Sequence, residues 1–90
     1  MMNDFRQYIH GLVKWLAAEK CWGGLNLNVI EIRYWEFKGI YNARITVLIK
    51  DKRITFEESV SVSEDHSRYN EYEGQFKLKV CDYLEKLEGE

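Results

Sequence analysis

Between Val29 and Val62, apolar and polar residues alternate in three runs separated by very short breaks. A side-chain period of two marks a strand, so the register between runs follows by counting. A first turn centred on Lys38-Gly39, with Gly39 supplying the positive φ of a tight hairpin, sets Ile32 against Ile45, Ile30 against Val47 and Tyr34 against Ala43. The opposite face then pairs Trp35 with Asn42, Arg33 with Arg44 and Glu31 with Thr46. A second turn at Asp51-Lys52 sets Ile49 against Ile54 and Val47 against Phe56. Both hairpins gather their aliphatic residues on one face, which predicts an antiparallel three-stranded meander. Two features fit poorly. Asp-Lys is not a favoured turn pair, and Glu58 falls in the inward phase beside Ile45, where a bulge or a strand end would be needed.

The flanking segments show helical spacing instead. Asn3 or Asp4 can cap a helix running to about Lys20, with Phe5, Tyr8, Ile9, Leu12, Val13, Trp15 and Leu16 on one arc and Arg6, His10 and Lys14 opposite. Gly23-Gly24 is a natural stop. The apolar arc suits the sheet's apolar face better than a membrane surface. Ser63 or Asp65 can start a second helix, with Tyr69, Tyr72, Phe76, Val80, Tyr83, Leu84 and Leu87 on one stripe. Gly74 interrupts that stripe, so the helix kinks there or begins near Gln75. The expected fold is α+β, ordered α-β-β-β-α, with two helices packed on one face of the meander. The other face stays wet, carrying Glu31, Arg33, Arg44, Thr46, Arg53, Thr55, Glu57 and Ser59.

Ninety residues with no proline, no repeat and no low-complexity run make a single domain, residues 1–90. An apolar content of 46% is enough for a core, to which Trp15, Phe56, Phe76 and Tyr83 are expected to contribute. The net charge of −2 hides an uneven distribution. Residues 1–56 carry nine Lys/Arg against five Asp/Glu, whereas residues 57–90 carry four against ten. The acids Glu57, Glu58, Glu64, Asp65, Glu71 and Glu73 are opposed over their stretch by Arg68 alone. Such a field can steer a partner, though acids also suit the start of a helix.

Cys21 and Cys81 lack metal-ligand spacing and are too few for a disulfide scaffold; without an export signal reduced thiols are the default, with a pairing between the two as the alternative. His10, Gly11 and Lys14 break any export-signal core, and no stretch reaches membrane-spanning length. A cytoplasmic location and no membrane partner are expected. No catalytic or cofactor motif is present, and Glu57-Glu58, adjacent in a strand, point to opposite faces. The chain is expected to be no enzyme, with no catalytic residues, no metal and no cofactor. Its interaction surfaces are then the six acids and the outward-phase residues Arg33, Trp35, Phe37, Arg44 and Leu48, since exposed Trp and Arg together anchor interfaces. A homodimer through that face is a further possibility.

Two resemblances extend this reading. The α-β-β-β-α order resembles the double-stranded RNA-binding domain, which grips phosphates with a lysine-rich start to its second helix and a Gly-Pro-x-His-type loop after its first strand. The corresponding stretches here read Ser63-Glu64-Asp65-His66-Ser67-Arg68 and Phe37-Lys38-Gly39-Ile40. An acidic helix start repels phosphate, which leaves Arg33, Lys38, Arg44, Lys50, Lys52 and Arg53 for nucleic-acid binding, the less favoured alternative. A small aromatic-rich domain with a meander and acids gathered after its third strand also resembles the phage-encoded anti-CRISPR inhibitors of bacterial defence. That resemblance implies a protein partner, a nucleic-acid-binding nuclease complex in the host cytoplasm. Glu57, Glu58, Glu64, Asp65, Glu71 and Glu73 would compete there for a basic DNA groove by DNA mimicry, more weakly as salt rises.

Overall fold

Helix α1 (Met2–Ala18) leads into strands β1 (Leu27–Phe37), β2 (Ile40–Ile49) and β3 (Lys52–Ser61), and helix α2 (Tyr69–Glu88) closes the chain. This is a computed structural model describing residues 2–18 and 27–88. Cys21, the Gly23-Gly24 stop and the end of the first helix at Lys20 lie outside the described residues. The strands form one antiparallel sheet in the order β1-β2-β3. The architecture is the α+β, α-β-β-β-α arrangement with its helices against the sheet.

Register follows the turns. At the first, Lys38 (φ 51°) and Gly39 (φ 74°) form a two-residue hairpin, so Ile32 pairs with Ile45, Arg33 with Arg44, Tyr34 with Ala43 and Trp35 with Asn42 as expected. At the second, the turn residues are Lys50 (φ 50°) and Asp51 (φ 65°), not Asp51-Lys52. Ile49 therefore faces Lys52, Val47 faces Ile54 and Ile45 faces Phe56, two residues away from the pairing counted on the sequence. A shift of two leaves every side chain on its expected face.

Ile30 does not face Val47. The register slips between Val29 and Glu31, so Val29 faces Val47 and Ile30 is the extra residue of a bulge, left 45% exposed. The bulge inverts the alternation: odd-numbered Leu27 and Val29 turn inward before it, even-numbered Ile32 and Tyr34 after it. Glu58 needs no bulge. It faces Ala43 in an unbroken strand, and the Tyr8 hydroxyl donates to its Oε2 at 2.6 Å.

The core lies between the inner sheet face and both helices. Phe5, Ile9, Leu12 and Leu16 of α1 and Phe76, Val80, Leu84 and Leu87 of α2 cover Ala43, Ile45, Val47, Ile49, Ile54 and Phe56. Trp15 is only half-buried and Tyr83 is exposed, its ring meeting Phe56 edge-on, so both rim the core instead of filling it. Thr46, expected to be wet, is buried at the centre of the outer face. Asp65 Oδ1 accepts from the Ser67 amide and Asp65 O from the Arg68 amide, which seeds a 3-10 turn (His66–Arg68) and then α2. Helix α2 starts at Tyr69 and runs unbroken through Gly74, so Gln75 is not its beginning. Cys81 is a half-buried free thiol.

Candidate functional site

With both helices on one side, the outer sheet face is left uncovered, and its side chains are held in place by one another. Arg44 and Glu57 are direct cross-strand partners on β2 and β3, and Arg44 Nη2 lies 3.0 Å from Glu57 Oε1. From the other side, the Arg44 guanidinium sits 5.6 Å from the centroid of the Trp35 ring. Opposite-charge pairing and a cation over an aromatic face act on the same arginine, so Trp35, Arg44 and Glu57 form one row across three strands. Arg33, beside Arg44, takes its acid from its own strand, Glu31 at 3.3 Å. The two arginines that face each other are thus each supplied with a carboxylate.

Towards the first turn this row meets an apolar end. Phe37 is 62% exposed and pairs directly with Ile40, itself partly exposed. Val62 is fastened beside them by its amide, which donates to the Gly39 carbonyl at 2.9 Å. Lys38 lies over the Phe37 ring at 5.2 Å. Leu48, at the far end of β2, is half-buried. Of these, Ile40 and Val62 were not singled out from the sequence. Ile40 follows from the Lys38-Gly39 turn, which pairs it with outward Phe37. Val62 lies just beyond the last strand residue, where alternation no longer assigns a face.

The six acids do not share one surface. Strand alternation puts Glu57 on the outer face and Glu58 on the inner one. The others gather around the start of α2, where Arg68 contacts both Glu64 (3.3 Å) and Glu71 (3.6 Å), while Lys77 contacts Glu73 (3.1 Å). The remaining basic candidates separate as well. Lys38 sits at one end of β2 and Lys50, Lys52 and Arg53 at the other, about 30 Å apart for ten strand residues.

A second cluster joins the helices to the inner face. Tyr34, Phe5, Tyr8, Tyr69 and Tyr72 form a chain of ring contacts, from 5.0 Å between Tyr8 and Tyr69 to 6.5 Å between Phe5 and Tyr34. An arginine caps each end, Arg6 over Tyr34 at 5.0 Å and Arg68 over Tyr72 at 5.9 Å. Burial raises the Tyr8 phenol well above its ordinary value, and its bond to Glu58 adds to the effect. Burial also raises Tyr34, Tyr69 and Tyr72, with the bond to Glu64 adding at Tyr72. Among the described residues no group of three or more His, Cys, Asp or Glu is placed to hold a metal ion. No helix among them is long and apolar enough to cross a membrane.

Comparison with protein-family models, with curated proteins and with solved structures finds no match to this chain.

Proposed function

We propose that this chain is a non-enzymatic protein-binding module that works through the outer face of its sheet. The observation that carries the reading is the exposed row of Trp35, clamped by Arg44, running into exposed Phe37, Ile40 and Val62. Aromatic residues and arginine dominate interface hot spots, and side chains already fixed by neighbours lose less entropy on binding. Arg33 borders this row, whereas Leu48 lies away from it at the far end of β2. An inhibitor, as the likeness to anti-CRISPR proteins implies, needs only such a rigid face and no chemistry.

Competition by acidic mimicry is the less economical route. Glu57, Glu64, Glu71 and Glu73 already hold internal cations, so a basic partner would have to displace Arg44, Arg68 and Lys77 first. Direct nucleic-acid binding is disfavoured by the separation of the lysines at the two sheet ends, since a phosphate-binding footprint needs them contiguous.

Affinity capture from a bacterial lysate by the wild type and two variants tests the reading. The expected outcome is a retained protein lost with the double substitution Trp35→Ala, Phe37→Ser and kept when Glu64, Asp65, Glu71 and Glu73 are all changed to Gln. The reverse pattern would transfer the site to the acids. A salt-sensitive shift of duplex DNA or RNA by the purified protein would establish the nucleic-acid alternative instead.

A further inference from the structure

The two borders of the sheet are unequal. In a two-residue hairpin the flanking residues form a mutually hydrogen-bonded pair, and such pairs recur at every second residue. On β3 this directs Lys52, Ile54, Phe56 and Glu58 towards β2, leaving the peptide groups of Arg53, Thr55, Glu57 and Ser59 on the open border. That border is occupied in part: Lys79 Nζ of α2 donates to the Glu57 carbonyl at 3.3 Å. On β1 the same count from Phe37 and Ile40 turns Arg33, Trp35 and Phe37 towards β2 and leaves the peptide groups of Ile32, Tyr34 and Glu36 facing outward. Among the described residues no strand pairs with this side. The stretch from Glu31 to Phe37 has no proline and no bulge. Exposed, regular strand edges of this kind template the addition of another strand.

Helix α1 overhangs the same border. Its Tyr8 and Trp15 flank faces α2, through the Tyr8–Tyr69 and Lys77–Trp15 contacts. Its other flank therefore lies on the β1 side, where Arg6, Gln7, His10 and Tyr34 line a shallow groove. The Arg6 guanidinium rests on the Tyr34 ring, with no carboxylate among the described residues in ion-pair contact. Glu36, two residues along the same border, is likewise exposed, with no cation among the described residues in ion-pair contact. One unpaired base and one unpaired acid, offset by two strand positions, suit a twofold-related copy of the same edge.

We infer that a second copy of this chain adds antiparallel to β1, with the twofold axis through Trp35. That register sets Glu36 of each copy opposite Tyr34 of the other, beneath its Arg6, and so forms the ion pair twice. On the outer face it sets Trp35 against its own mate and Arg33 against Phe37. Neighbouring registers fail on charge. An axis through Tyr34 crowds the two Arg6 side chains together, one through Arg33 opposes two arginines, and one through Glu36 opposes two glutamates. The two sheets then become one of six strands, and its outer face remains open. The inference does not rest on the proposed partner surface: Trp35, Phe37 and Arg33 would be shared with the seam, but the Arg6–Glu36 pairing that fixes the register lies on the inner face.

Sedimentation velocity of the full chain, from low micromolar to millimolar concentration, tests it with Arg6→Glu and Glu36→Arg. Wild type is expected to dimerise. Each single variant places like charges together at both ends of the seam and is expected to weaken self-association by roughly tenfold or more. An equimolar mixture of the two single variants restores both ion pairs and is expected to associate like wild type. Circular dichroism of each variant verifies the fold, and Glu36→Arg changes an exposed side chain with no ion-pair partner among the described residues. A wild type that stays monomeric throughout overturns the inference. So does a dimer indifferent to both substitutions, or a mixture of folded variants that does not recombine.

Discussion

The hydroxyl of Tyr8 donates a 2.6 Å hydrogen bond to Oε2 of Glu58, fifty residues further along the chain. It is the contact that allows an acid on the core side of β3. Glu58 sits in a register position otherwise filled by Ile54, Phe56 and Val60, and the phenol supplies the donor that water would have supplied. Removing that donor with Tyr8→Phe is expected to lower unfolding stability by about 1.5–3 kcal/mol, the range for a bond to a charged group. In a double-mutant cycle, Tyr8→Phe in a Glu58→Gln background should cost clearly less than in wild type, measured by urea unfolding. Equal costs in the two backgrounds would mean the bond contributes nothing.

Alkaline pH should destabilise the fold through the same tyrosine. Tyr8, Tyr34, Tyr69 and Tyr72 all have phenols raised above the ordinary 10.0. A raised folded pKa means that the unfolded chain releases its protons first, so the folded state holds more of them above pH 10 and stability falls as pH rises. The stabilisation is complete below pH 10 and is lost as pH climbs through the folded values. Denaturant midpoints are expected to be level from pH 7 to about 9 and to drop beyond about 10, less steeply in Tyr8→Phe than in wild type.

Gly74 lies in the second turn of α2, exposed, with nothing within 4 Å of where a Cβ would stand, and Gly11 has the same freedom in α1. Gly74→Ala and Gly11→Ala are each expected to stabilise the protein by about 0.8–1 kcal/mol, additively, through helix propensity alone. Gly39→Ala should have the opposite sign, because its φ of 74° is strained for any residue with a Cβ. Thermal unfolding of the three variants checks the contrast.

The second hairpin holds its two turn residues, Lys50 and Asp51, at positive φ without a glycine. Each carries the left-handed strain of about 1–2 kcal/mol that glycine avoids. Asp51→Gly is therefore expected to stabilise the fold by about 1 kcal/mol, less than the full strain because glycine is more disordered when unfolded. A fall in unfolding midpoint would show that the Asp51 side chain contributes more than its backbone costs.

Much of this arrangement is legible along the chain because it depends on parity alone. The faces of Ile45 and Phe56 survive a turn misplaced by one residue, since that moves the pairing by two, the period of the strand. The position of that turn is not legible, because neither Lys-Asp nor Asp-Lys carries the glycine or asparagine that selects positive φ. The bulge leaves a trace, the change of apolar phase from Leu27 and Val29 to Ile32 and Tyr34, but only pairing with β2 reveals Ile30 as the extra residue. Glu58 is opaque for another reason, since its donor comes from an element with no local relation to β3. In the candidate site, alternation points to Trp35, Phe37 and Arg44, while the clamp of Glu57 on Arg44 requires knowing which residue of β3 lies opposite.

The lysine that α2 lays across the Glu57 carbonyl has a consequence for assembly. A meander offers two lateral margins, and a chain that left both open could recruit neighbours without limit and grow into a filament. Here one margin is partly occupied from within the same molecule, so in the pairing inferred above lateral recruitment has a favoured direction and stops at two subunits. In that pairing Lys79 would favour a finite particle over a polymer.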